Sequence, residues 1–276
     1  MEIVCLQKGN GNTPLYCMPT TAGSVTSYSE LAKILGADRP VYGIRIAGRE
    51  HTQKFEAFAS LQEMAASMAV KLLAQHGDGP ICLIGYSFGG YMAIELARQL
   101  VGHGKLVPFV GIIDMRPPPA SFAPSFRICH FARNVGPWAL TVAARIVTDT
   151  KQWLNYRNAF LRKLRRQHRI HTQNWYPGLP EGRKNIVNQN IANRRKFRFE
   201  GIYRGTIFLF RQRPSLAHFD HPFRPQKLAD YGWQRITGAN IHVVYIAGDH
   251  ASCMQQPDVV YLANELRLVL DVALGR

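Results

Sequence analysis

Short apolar, β-branched runs alternate along this chain with stretches in which apolar residues return every three or four positions. Runs of roughly four to eight apolar residues suit strands buried on both faces, and the longer spacing suits helices with one covered face. Ile3–Leu6, Leu15–Met18, Val41–Ile46, Ile81–Tyr86, Phe109–Asp114, Thr206–Phe210 and Ile241–Ile246 are predicted as strands. Ser29–Leu35, Leu61–Gln75, Tyr91–Leu100 and Val259–Ala273 are predicted as helices. Within the second of these, Leu61, Met64, Met68, Leu72 and Leu73 fall on one helical face, so its methionines read as core packing. The alternation predicts an α/β class, with a mostly parallel central sheet and helices on both faces.

The alternation stops at Arg116-Pro117-Pro118-Pro119 and resumes near Tyr203. The intervening sequence is basic, aromatic and helix-leaning, with turn residues at Tyr176-Pro177-Gly178-Leu179-Pro180. It reads as a mainly helical lid inserted at about 117–203 and folded over the C-terminal edge of the sheet. Residues 1–276 are then a single domain carrying that insertion.

Charge sharpens this division. The chain has a formal net charge of +16. Between Pro117 and Pro225 there are 20 Lys and Arg against four acids, which equals the whole excess, while the remainder holds 14 of each sign. The basic character therefore belongs to the insertion and its flank. The opening Met1-Glu2-Ile3-Val4-Cys5 has an acid where a secretory n-region is basic, and no uncharged run is long enough to span a bilayer. Cys5, Cys17, Cys82, Cys129 and Cys253 are odd in number and scattered, with neither CxxC nor metal-ligand spacing. A reduced, cytoplasmic protein without a bound metal is the expectation.

Candidate chemistry centres on Gly85-Tyr86-Ser87-Phe88-Gly89, with Gly90 following. Three small residues at fixed spacing are modest evidence, but a buried strand leads in and a helix leads out. A serine in that context sits on a strained strand-to-helix turn, the nucleophile elbow of the α/β-hydrolase fold, with its Oγ above the sheet. The glycines keep Cβ atoms out of the strand–helix contact. The helix N-terminus supplies a positive dipole where an oxyanion develops, and the Phe88 amide is a candidate donor.

A serine hydroxyl needs a base, and the base an orienting carboxylate, in the chain order Ser, Asp or Glu, His. Of ten histidines, His250 in Gly248-Asp249-His250 follows the last strand and is the candidate base. His218 and His221 lie upstream, flanking Asp220, and read as lid or loop residues. Asp114 closes an apolar strand next to the elbow and is the favoured acid, because a partly buried carboxylate needs a partner. Asp220, after the Thr206–Phe210 strand, is the alternative; Asp249 reads as a turn residue.

With these residues in place, the chain resembles the terminal thioesterase domains of nonribosomal peptide and polyketide synthases over nearly its full length, most weakly in the lid. Leu15-Tyr16-Cys17-Met18 through Ala22-Gly23-Ser24 resembles the family's first oxyanion loop. Gly85-Tyr86-Ser87-Phe88-Gly89-Gly90 resembles its elbow more than the Gly-His-Ser-Met-Gly of proofreading thioesterases. Asp114-Met115-Arg116-Pro117-Pro118, Gly205 through Arg211, Tyr231-Gly232-Trp233 and Gly248-Asp249-His250 complete the likeness. The family places its acid after the earlier strand, which favours Asp114. The family's His-Pro-Ala-Gly-Gly stands here as Pro19-Thr20-Thr21-Ala22-Gly23, and the amides of Thr21 or Ala22 are the expected second oxyanion donors.

The resemblance implies release of an acyl or peptidyl chain from a carrier-protein phosphopantetheine thioester through a Ser87 acyl-enzyme, by hydrolysis or cyclisation, with no cofactor of the domain's own. Acyl transfer to an amine or hydroxyl, and a non-catalytic acyl-binding module, remain open beside it. The basic segment has its own open readings. Arg162, Lys163, Arg165 and Arg166 form a candidate docking patch for an acidic carrier protein. Trp138, Val142, Ile146, Trp153, Tyr156, Phe160 and Leu164 also mark a helix face that suits an anionic membrane surface, or a simple core-facing stripe. No nucleic-acid recognition motif accompanies the charge.

Overall fold

The computed structural model describes residues 1–49, 54–123, 125–126, 128–133, 135–136, 139–140, 178–213 and 228–276. Its strands are β1 (Glu2–Gln7), β2 (Leu15–Cys17), β3 (Val41–Arg45), β4 (Gly48–Arg49), β5 (Lys54–Phe55), β6 (Cys82–Tyr86), β7 (Phe109–Ile113), β8 (Thr206–Gln212) and β9 (Asn240–Ile246). The helices are α1 (Ser29–Leu35), α2 (Leu61–Gln75), α3 (Gly89–Gly102), α4 (Glu181–Lys196), α5 (Trp233–Thr237) and α6 (Asp258–Ala273). Seven strands make one sheet in the order β1-β3-β2-β6-β7-β8-β9, with β4 and β5 as a separate two-strand pair. β1 runs antiparallel to β3; every other pairing in the large sheet is parallel.

Parallel pairing accounts for the composition of the central strands. Helical crossovers cover both faces of such a sheet, so its middle strands meet no water and read as continuous apolar runs. All five residues of Phe109–Ile113 are buried, as are the first four of Cys82–Tyr86. One core layer joins α2 and α3 to the sheet through Met64, Met68, Leu72, Met92 and Leu96. The other joins α1 and α6 through Leu31, Leu35, Leu262, Leu266 and Leu270. Met64, Met68 and Leu72 are buried, as the spacing in that helix predicts, while Leu73 packs partly buried against the layer.

Element boundaries depart from the sequence pattern for local reasons. Ser60 accepts the Glu63 amide at 3.1 Å and Glu63 accepts the Ala59 amide at 2.6 Å, a reciprocal cap that starts α2 at Leu61. α3 begins at Gly89, earlier than its apolar run, because the elbow glycines are already in the first turn. β7 stops at Ile113 because Asp114 turns to φ +44° and leaves the ladder. The β4–β5 pair and α5 are too short to show periodicity. Within the expected insertion, α4 is described; its mean composition is polar, and five residues along it are nevertheless buried. Trp138, Val142, Ile146, Trp153, Tyr156, Phe160 and Leu164, proposed for a membrane face, lie outside the described residues, as do Arg162, Lys163, Arg165 and Arg166. No described helix is long and apolar enough to cross a membrane.

Burial also sorts the thiols. Cys17, Cys82 and Cys253 are buried, and Cys5 and Cys129 are exposed. Loss of water disfavours a thiolate, so burial raises Cys82 and Cys253 to about 12, the latter helped by Asp114, Asp249 and Asp258, and pushes Cys17 up as well. At pH 8 a thiol of that kind is ionised on the order of once in 10⁴ molecules. Iodoacetamide at pH 8 is expected to alkylate Cys5 and Cys129 in the native protein and to spare the other three until denaturant is added. Peptide mass spectrometry checks this; native labelling of Cys253 would show that the loop around it opens.

Candidate active site

The site is built on the turn between β6 and α3. A Cβ on Gly85 would stand 2.0 Å from the Gly89 carbonyl oxygen, so only hydrogen fits there. The strand and helix approach this closely because Ser87 takes φ +54°, a left-handed conformation unusual for a residue with a side chain. Hydrogen bonds hold the strained turn on both sides. The Ser87 amide donates to Ile113 at 3.1 Å, and the Ser87 carbonyl accepts from Gly90 at 2.9 Å.

Because β2, β6, β7, β8 and β9 run in one direction, the loops that follow them share one edge of the sheet. That edge brings together Ser87, Asp114 and His250. His250 Nε2 is 3.1 Å from Ser87 Oγ, and His250 Nδ1 is 2.8 Å from Asp114 Oδ2. Asp114 is held by its own amide, which donates to Phe210 at 2.7 Å. The next two carbonyls are also fixed: Met115 accepts from Trp233 Nε1 at 2.9 Å and Arg116 from Tyr91 at 2.8 Å. The Pro run after the acid is thus tied down by the aromatic residues that the sequence pattern singled out at 231–233 and by the first turn of α3.

His250 sits on a loop with its own frame. Asp249 accepts the amides of Ala251 and Ser252 at 2.8 and 2.9 Å, which makes it the turn residue expected and holds its carboxyl below the usual range. Ser252 in turn donates to Asp258 at 2.6 Å, at the start of α6. Tyr86, whose role sequence reasoning missed, lies with its ring centroid 5.1 Å from that of His250, and its hydroxyl donates to the His250 backbone carbonyl. Its position beside the nucleophile was visible; its reach across to a loop 164 residues away was not.

The loop after β2 completes the edge. Gly89 lies so near it that a Cβ would stand 3.1 Å from the carbonyl oxygens of both Met18 and Pro19. The loop is a tight turn: Thr20 accepts from Gly23 at 2.8 Å and donates to Ser24 at 2.9 Å. The amides of Phe88, Thr21 and Ala22 have no hydrogen-bond acceptor among the described residues. Thr21, Ala22, Ser87 and His250 line one cleft of about 550 Å³, with Phe55, Tyr86, Leu179, Pro180 and Arg183. Asp220, His218 and His221 lie outside the described residues. Among the described residues no cluster of three His, Cys, Asp or Glu has the proximity to hold a metal ion.

A sequence model of the Thioesterase domain matches residues 13–124, which carry the first loop, the elbow and Asp114. The likeness is to the thioesterase domain family. An atromentin synthetase of Serpula lacrymans is 36% identical over 115 residues, and an inactive atromentin synthetase of Paxillus involutus is 35% identical over 115. Each alignment covers 42% of this chain and 12% of the relative, so this thioesterase-like chain spans a small part of the proteins it matches. Among solved structures, the NocB thioesterase domain in covalent complex with a fluorophosphonate nocardicin G analog superposes with a TM-score of 0.63. It is 20% identical and the match covers 98% of this chain and 99% of that one. At such identity the superposition speaks for the fold, a mostly parallel sheet with helices arranged as in that domain.

The left-handed backbone at Ser87 has a measurable consequence. It costs a residue bearing a Cβ roughly 1–2 kcal/mol, from which glycine is exempt. Ser87→Gly is therefore expected to be more stable than Ser87→Ala by about 1 kcal/mol. Urea unfolding of the two variants checks it, and equal midpoints would mean the turn relaxes when the hydroxyl is removed.

Proposed function

We propose that this chain is a serine thioesterase that releases an acyl or peptidyl chain from the phosphopantetheine thioester of a carrier protein. The observation that supports it best is His250, placed between Ser87 at 3.1 Å and Asp114 at 2.8 Å. Ser87 Oγ attacks the thioester carbonyl carbon as His250 Nε2 takes its proton. Asp114 accepts a hydrogen bond from Nδ1–H, fixes the tautomer and stabilises the imidazolium, which keeps that proton. The developing oxyanion takes hydrogen bonds from the Phe88 amide and from Thr21 or Ala22. The C–S bond then breaks, and the thiol leaves with the proton from His250.

What remains is an ester on Ser87. Water, or a hydroxyl or amine of the same acyl chain, gives its proton to His250 and attacks that ester. Ser87 recovers the proton on leaving. Hydrolysis and cyclisation differ only in this acceptor, and transfer to a separate amine or hydroxyl is the same chemistry. Each proton is returned within the cycle, so the chain's own groups suffice and the pantetheine arm arrives with the substrate. A non-catalytic acyl-binding role is the second reading, favoured by relatives that are named inactive synthetases.

Intact mass spectrometry after incubation with acyl-thioester mimics separates the two. Acylation is expected at Ser87 and absent from Ser87→Ala, with turnover lowered by about 10⁶-fold. Asp114→Asn is expected to fold and to lose about 10⁴-fold, while Asp220→Asn keeps near-normal turnover. Wild-type protein that binds the mimic and never becomes acylated would favour the binding module.

The basic segment supports a partner of opposite charge. Arg162, Lys163, Arg165 and Arg166 are proposed to raise the encounter rate with an acidic carrier protein, since a one-signed patch focuses an oppositely charged macromolecule. Reversing all four to Glu is expected to slow reaction with carrier-bound acyl groups by about 10-fold at low salt. The difference should fade as salt shortens the Debye length to about 8 Å. Small mimics should react at an unchanged rate. Equal slowing of both substrates would refute steering, and loss of binding to anionic vesicles by the same variant would favour the membrane surface.

A further inference from the structure

Helix α4 lies over the edge where the candidate site is found, and its polar side chains are used in an unusual way. Four of them donate to backbone carbonyls of two loops. Gln189 Nε2 and Asn193 Nδ2 each donate to Phe58 at 2.8 Å. Asn190 Nδ2 donates to Thr21 at 2.9 Å, and Arg183 Nη1 donates to Ala22 at 3.2 Å. Asn190 is 2% exposed. A buried amide is costly without a partner, so this contact is a fixed part of the packing and not an incidental surface bond.

The loop's own bonds lie around its ends: Thr20 donates to Ser24 through its amide and its hydroxyl, and Ile46 donates to the Gly23 carbonyl. Thr20 accepts from Gly23 within the turn, but the carbonyls of Thr21 and Ala22 receive their hydrogen bonds from α4. A trans peptide unit is planar, with its C=O and N–H pointing in opposite directions. Holding the Thr21 carbonyl therefore fixes the Ala22 amide, and holding the Ala22 carbonyl fixes the Gly23 amide that closes the turn. Without Asn190, the Thr21 carbonyl loses this hydrogen bond, and the Thr21–Ala22 peptide keeps only the restraint of the turn and of Arg183.

Resting on the Ser87 acyl-enzyme reading above, we propose that Asn190 is a positioning residue for the oxyanion donor on the Thr21–Ala22 loop, with Arg183 as its support. The donor is an amide, and the turn's own bonds close it at Thr20, Gly23 and Ser24, so the hold on the Thr21 carbonyl comes from outside the loop. α4 supplies it. A helix of the insertion that covers the site thereby also sets the geometry of the charge-stabilising group. Removing a whole oxyanion donor slows comparable enzymes by about 10²–10³-fold. Letting one drift should cost less, about 10–100-fold, and should fall on kcat more than on KM, because the amide meets full negative charge only in the transition state.

The test compares Asn190→Ala with Asn193→Ala. Both delete a buried amide donor from the same helix, but Asn193 holds Phe58 and not the oxyanion loop. Two rates are read in the full chain: turnover of an acyl-thioester mimic, and the rate at which a fluorophosphonate probe phosphonylates Ser87. The second passes through the same oxyanion geometry and does not depend on the natural acyl donor. Asn190→Ala is expected to lower kcat and phosphonylation together by about 10–100-fold with KM within about threefold, and Asn193→Ala to keep both near wild type. Equal losses in the two variants would overturn the proposal, since they would mean the helix matters only by docking. Unchanged phosphonylation in folded Asn190→Ala would overturn it as well. Wild-type protein that is phosphonylated at Ser87 but hydrolyses no thioester would refute the thioesterase reading while the Asn190 effect on labelling still stands.

Discussion

The closest approach in the molecule that matters to function is between β6 and α3, where the Gly89 carbonyl occupies the space a Cβ on Gly85 would need. Everything at the site inherits its position from that contact. To let the helix start so near the strand, the connecting residues must turn sharply, and Ser87 takes the left-handed backbone that the turn demands. The side chain is then carried outward, above the strand ends, into the cleft it lines. The same helix start presses against the Met18 and Pro19 carbonyls, so a second loop is set relative to Ser87 by the absence of one methyl group at Gly89. Strain at a single residue persists because buried neighbours on both sides leave the turn no alternative.

The acid repeats the arrangement one strand over. Asp114 also has a positive φ, of +44°, and is likewise anchored by a hydrogen bond to the next strand. Two side-chain-bearing residues in uncommon backbone states thus flank a histidine that is itself half exposed, with 51% of its side-chain surface accessible. The rigid partners belong to the sheet and the looser one to a loop. Tyr86 reduces that difference: its ring and hydroxyl both meet the His250 segment, tying the loop back to the strand that leads into Ser87.

The sheet, its helices and the three residues Ser87, Asp114 and His250 were legible because each rests on local pattern. Apolar runs mark strands buried on both faces, and the Gly-x-Ser-x-Gly spacing marks a turn whose sterics admit few alternatives. Asp114 stood out as a lone charge at the end of the run Phe109–Ile113. What stayed illegible depends on long-range partners. Nothing in the composition of Glu181–Lys196 distinguishes a solvated polar helix from one that spends Arg183, Gln189, Asn190 and Asn193 on distant carbonyls. The departure at Pro19-Thr20-Thr21-Ala22-Gly23 leaves the amides of Thr21 and Ala22 as the expected donors, since a backbone group does not depend on its side chain, but the hold of α4 on the two carbonyls has no local signal. Gly23 is retained there for a visible reason: its φ is +73°, and a Cβ would come within 2.9 Å of Ile46.

The separation of the reacting groups along the chain has a temporal side. Ser87 and His250 are 163 residues apart. During synthesis at roughly 5–20 residues per second, Ser87 emerges many seconds before His250, and domains fold from the N-terminal side as they appear. β6, α3 and β7 can pair as soon as they are made, but β9 must dock on β8 before the histidine loop exists. Until then Ser87 has no imidazole beside it, and its hydroxyl is an ordinary alcohol. On the reading proposed above, completion of the sheet is then the step that would switch reactivity on, and an arrested or misassembled chain would be chemically silent.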